Sequence, residues 1–167
     1  MPQCRAMESV LGDRVREILE RGEGLTAGDL RLIPLVTLES GAQQGIDGAL
    51  RWVLIPGEGA APVVITAENV HLLHEAIETR RDTFEATIEA RARALDLPVD
   101  DLVFSYPAPA LVRAILVKRS SYLTRLALAW LHTTELRELR EAILEVTRDP
   151  TMPAPVKDLA QRLVVPV

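Results

Sequence analysis

Six apolar side chains, Val70, Leu73, Ile77, Phe84, Ile88 and Leu95, recur so that at 100° per residue they fall within an arc of about 60°. That is the periodicity of one amphipathic helix. Thr66 supplies a cap before it, and the DLPVDD segment with Pro98 supplies a stop after it. The pattern predicts a single long helix over 67–95. An element of that length acts as a spine around which the rest of the chain must arrange itself.

What packs against the spine is set by composition. Aromatics are only 4% of the 167 residues, so the core must be built from Leu, Val, Ile and Ala. Met7, Leu11, Val15, Ile18 and Leu19 predict a first helix over 7–21, ended by Gly22 and Gly24. Between the two helices the reading changes. ALRWVLI and PVVIT read as two short strands around the turn PGEGAAP, and ESGAQQGIDG reads as a loop. Two strands alone are marginal, so a third is expected from 31–38 or from another chain. Residues 26–38 themselves are ambiguous. Thr26 and Asp29 resemble a helix start that Pro34 would disturb, and a strand through Leu35–Leu38 fits equally well.

After the spine, 110–118 is apolar nearly all round and reads as a buried helix, with Ser120 or Ser121 capping the next one. The stripe Leu123, Leu126, Ala127, Trp130, Leu131 and the stripe Leu136, Leu139, Ile143, Val146 differ by about half a helical turn. A break at His132-Thr133-Thr134 follows. The expected fold is α+β, mainly α: five to six helices around a long central helix, with a small hairpin or three-stranded sheet in the N-terminal half. Residues 1–6 read as a disordered extension and 7–148 as one globular domain. Residues 149–167 read as a proline-rich linker carrying a short helix and an apolar C-terminal arm.

Function is less legible. Cys4 excludes an internal disulfide and lies in the extension, where a nucleophile would lack a base and a rigid setting. There is no leader pattern and no apolar run near the ~20 residues of a membrane span, so the expected location is cytoplasmic. HLLHE places His71 and His74 three residues apart, with Glu68 and Glu75 nearby, the only candidate metal ligands on one element. Zinc proteases need histidines four apart with glutamate after the first. His132-x-x-Glu135, the nearest partner pair, straddles the expected break. The histidines therefore read as the solvated side of a scaffold. No catalytic residue, metal or cofactor is expected.

Charge is unevenly spread. Residues 66–101 hold nine acids and four bases, while 102–134 hold no acid and four bases: Arg113, Lys118, Arg119 and Arg125. Glu78, Asp82, Glu85 and Glu89 form an acidic ridge along the spine, which the basic segment is expected to face within the same chain. Beside the ridge, Leu72, Ala76, Thr83, Ala86 and Ala90 make a small-residue face open to another helix. The function expected from these features is non-enzymatic protein–protein interaction or assembly, a scaffold or adaptor that self-associates. A protein partner could engage the acidic ridge or the C-terminal arm. The alternatives are a nucleic-acid-binding protein using 102–134, and an enzyme or metal protein whose site is scattered through the fold.

Overall fold

A computed structural model describes the backbone of residues 2–165 and the side chains of residues 10–165. The chain divides into two compact units, one made of residues 1–66 and 82–106, the other of 67–81 and 107–167. Among the described residues are seven α-helices and a five-stranded sheet in the N-terminal half.

The first unit opens with α1 (Pro2–Glu20), which buries Leu11, Val15, Ile18 and Leu19. The extension expected over 1–6 falls in the part of α1 whose side chains lie outside the described residues. Gly22 ends the helix at φ +78°, with its amide on Leu19 O and that of Glu23 on Ile18 O. This pairing closes the last turn and needs a left-handed residue at that position. Five strands follow as an antiparallel meander, β1 (Leu25–Ala27), β2 (Leu30–Thr37), β3 (Gln43–Asp47), β4 (Trp52–Ile55) and β5 (Val63–Val64), each beside the next.

β2 resolves the ambiguity of 26–38 as strand. Pro34 is tolerated inside it because the register slips between Pro34 and Val36, a bulge where a missing amide does little harm. The hairpin of β4 and β5 was expected, but the centre of the sheet was not. The segment read as a loop, ESGAQQGIDG, holds β3, which pairs with both β2 and β4. Its glycine is structural: a Cβ on Gly45 would lie 2.3 Å from Ile33 O. Asp47, 3% exposed, closes the β3–β4 turn by accepting from the amides of Ala49 and Arg51 and pairing with the Arg51 guanidinium.

The two sides of the sheet differ. One carries Ile33, Gln44, Ile46 and Trp52, all buried. Tyr106 donates its hydroxyl to Gln44 Oε1 at 2.8 Å and meets Trp52 and Phe84 edge-on. Gln44 Nε2 is buried with no partner among the described residues. The other side curls around a small apolar cluster of Leu32, Val53 and Ile55. α2 (Arg81–Ala94) brings Phe84 and Ile88 into this unit's core, and α3 (Val99–Phe104) packs on α1.

The single helix expected over 67–95 does not form. Val70–Glu78 is a 3₁₀ helix, Thr79 is extended, and α2 begins afresh at Arg81. The apolar stripe is really two: Val70, Leu73 and Ile77 are buried in the second unit, Phe84 and Ile88 in the first. Between Ile77 and Phe84 the stripe position falls on Arg80 and Arg81. No apolar residue is there to hold the chain in one helix.

Among its described residues the second unit contains helices and no strand. α4 (Ala108–Val117), the buried helix expected at 110–118, packs on the 3₁₀ segment, on α5 (Ser121–Ala129) and on α6 (Leu136–Arg148). Ser120 caps α5 through its side chain, which accepts from the Leu123 amide. The break at 132–134 is present as a short 3₁₀ turn, Thr133–Glu135. α7 (Ala154–Val164) lies along α6 and buries Val156, Ala160 and Val164. Of the apolar arm, residues 166 and 167 lie outside the described residues.

Candidate functional site

The sequence candidates separate on folding. His71 and His74 lie on the 3₁₀ segment, and His74 Nδ1 is 3.2 Å from His71 O, an engagement with backbone. Glu68 and Glu75 each engage a neighbour. Among the described residues no group of three or more His, Cys, Asp or Glu side chains converges as metal ligands would. Glu135 pairs instead with Arg81 at 2.8 Å, each side chain nearly nine-tenths buried. The Arg81 guanidinium also lies 4.4 Å from the centre of the Trp130 ring, and the Trp130 indole donates to Thr79 O. That arrangement anchors the break between the two helical segments.

Within the second unit the basic segment meets α6 and its C-terminal turn. Arg113 pairs with Glu138 at 3.5 Å and Arg119 with Asp149 at 3.6 Å. Lys118 and Arg125 are exposed. The ridge itself is divided, with Glu78 in one unit and Asp82, Glu85 and Glu89 on α2. The small-residue face is divided likewise. Ala76 is fully buried and Leu72 is on the 3₁₀ segment, whereas Thr83, Ala86 and Ala90 are exposed on α2.

Asp149 is a perturbed group of the second unit. The hydroxyl and amide of Thr151 both donate to it, at 2.7 and 2.8 Å, and hold its carboxyl below the ordinary value of 3.8, with Arg119 adding to the effect. A carboxyl depressed in the folded state contributes stability above its unfolded pKa and loses it as pH falls through the folded one. Asp149→Asn should therefore destabilise the chain at pH 6, and the difference from wild type should shrink towards pH 3. Thermal melts across that range check this; a difference that does not shrink would refute it.

A concavity belongs to the first unit, at the end where the sheet curls. It encloses about 440 Å³. Alternate turns of a meander fall at the same end, so the β2–β3 turn at Gly41 and the β4–β5 loop at 57–60 stand together there. The curl brings the opposite edge round to meet them: a Cβ on Gly28, at the tip of the β1–β2 hairpin, would lie 3.7 Å from Pro62, just before β5. Leu25, Ala27 and Ile55 give apolar wall, Gln43 gives a polar side chain, and Glu58 is the only charged residue among the described residues of the lining. The sequence pattern presents PGEGAAP as a turn and ESGAQQGIDG as a loop, with nothing local to bring them together. The glycines were visible, but only the strand between them, which was not recognised, fixes them at one end.

No protein-family model, curated protein or solved structure matches the chain. No helix among the described residues is long and apolar enough to cross a membrane.

Proposed function

We propose that this chain is a non-enzymatic interaction protein that assembles with copies of itself. The observation that carries the reading is Phe104, whose ring is 89% exposed at the end of α3 while the chain's other phenylalanine, Phe84, is 2% exposed. A ring left in water forgoes the roughly 1.5–3 kcal/mol its burial would contribute, and a second surface can recover that. Val10, 53% exposed on α1, adds to the same unit's apolar surface. Asp100 and Asp101 lie in the first turn of α3, one turn before Phe104.

The complementary surface is the α4–α5 corner, where Val117 (73%) and Tyr122 (55%) protrude beside the exposed Lys118 and Arg125. One patch is apolar and acidic, the other apolar and basic. Two copies can join them head to tail, a heterologous contact that builds rings or chains. Arg113 and Arg119 already have carboxylate partners, which leaves little cation for phosphate and favours a protein partner over nucleic acid. Thr83, Ala86 and Ala90 offer a second flat surface on α2.

Light scattering in line with size exclusion tests the reading. Wild type should run as a multimer at low salt, and Phe104→Glu should lower its mass without lowering its melting temperature. A wild type monomeric at the highest soluble concentration in both low and high salt would sink it.

A further inference from the structure

We propose that the cavity at the mouth of the curled sheet binds a primary alkylammonium group carried on a short apolar body. Its 440 Å³ falls inside the roughly 300–1,000 Å³ of small-molecule pockets. Leu25 and Ile55 supply apolar wall for the body, and the Gln43 amide lies half-buried beside them. Glu58 is a carboxylate with no basic side chain in the lining to meet it.

The surrounding charge points the same way. Residues 25–60 hold four acids and two bases. Arg51 is taken by Asp47, and the Arg31 guanidinium donates to Leu19 O, so neither base is committed to the cavity. An anionic ligand would find no partner and a neutral one would leave Glu58 unused. An ammonium group satisfies the carboxylate and can donate to Gln43 Oε1 or to the loop carbonyls.

Gly57 also lines the cavity. Gly41 and Gly59 sit at φ +88° and +73°, where glycine is required by the backbone. Gly57 has no such angle, and a Cβ built on it meets nothing within 4 Å. Backbone and packing alike leave room for a side chain there.

The ammonium could belong to a free amine or to a lysine side chain of another protein. The proposal is separate from self-assembly and survives its failure. Calorimetric titration of the full chain would use n-hexylamine, Nα-acetyl-lysine amide, n-hexanol and hexanoate. Both ammonium probes should bind more tightly than hexanol, with no heat from hexanoate. Tighter binding of the acetyl-lysine amide assigns a lysine side chain, and tighter binding of hexylamine assigns a free amine. Glu58→Gln should weaken both ammonium probes about threefold, as for an exposed ion pair, and leave hexanol unchanged. Gly57→Leu should fill the space and weaken them at least about tenfold at an unchanged melting temperature. If that variant does not fold, Glu58→Arg, a surface change, should reject both ammonium probes. Binding of hexanoate equal to hexylamine, no binding of either ammonium probe, or binding intact in Gly57→Leu or Glu58→Arg would overturn the proposal.

Discussion

Glu135→Ala is expected to destabilise the second unit by about 3–5 kcal/mol, the range for removing one partner of a buried ion pair. Both side chains of the Arg81–Glu135 pair are nearly buried, at 12% and 13% exposure, so the orphaned guanidinium cannot simply turn into water. Glu135 also accepts from the His132 amide at 3.0 Å, which caps the short turn leading into α6, and that contact goes with it. Arg81→Leu should cost a similar amount and weaken the Trp130 contact as well. The double variant should lose clearly less than the sum of the two, because neither charge is then left uncompensated. Urea denaturation of the four proteins of this cycle is the measurement. Additive losses, or a Glu135→Ala loss no larger than that of a surface pair, would mean that the pair does not anchor the break before α2.

The second large effect is expected at Gly45. An alanine Cβ there would lie 2.3 Å from Ile33 O and 2.9 Å from the Leu32 side chain, and the first of these is backbone that cannot swing aside. Either β2 and β3 separate or the bulge at Pro34 is lost. Overpacking of this kind costs about 1–3 kcal/mol and more when backbone must move, so Gly45→Val should abolish the folded sheet and Gly45→Ala should weaken it severely. The control is Gly41→Ala, which meets no atom within 4 Å and suffers only its φ of +88°. Circular dichroism melts of the two alanine variants decide the matter. Equal melting temperatures would show that the close approach at Gly45 is not what holds β3 in place.

These two sites also mark where sequence reasoning stopped. The end of α1 at Gly22, the buried helix α4, the Ser120 cap and the break at 132–134 were all legible, because each depends on residues within a turn or two of one another. β3 was not. Gln43–Asp47 reads as loop because its apolar content is low, and its place in the sheet depends on distant residues. Gly45 yields to the backbone of β2, and Gln44 is buried under a hydroxyl from Tyr106, 62 positions along the chain. The long helix failed for the complementary reason. Its stripe was real, but helical periodicity shows which side of a segment is apolar and not whether two such segments share one partner. Arg80 and Arg81 in the gap were the available signal.

The candidate cavity was beyond reach for the same cause. PGEGAAP and the loop around Gly41 look like ordinary connections, and each is one. They make a concave surface only because β3 and β4 lie between them and the sheet curls. By itself, the sequence determined that α1, α4, α5, α6 and α7 are helical, where several of them stop, the absence of an aromatic-rich core and the uneven charge. Those properties are set by side chains three or four residues apart, which any local conformation brings together. The tertiary structure alone decided that the stripe over 70–95 serves two cores, that Arg81 and Glu135 meet, and that three turns and the strand ends beside them line one space. Each depends on contacts between residues tens of positions apart, whose partners are chosen by packing and hydrogen bonding across the fold rather than by local pattern.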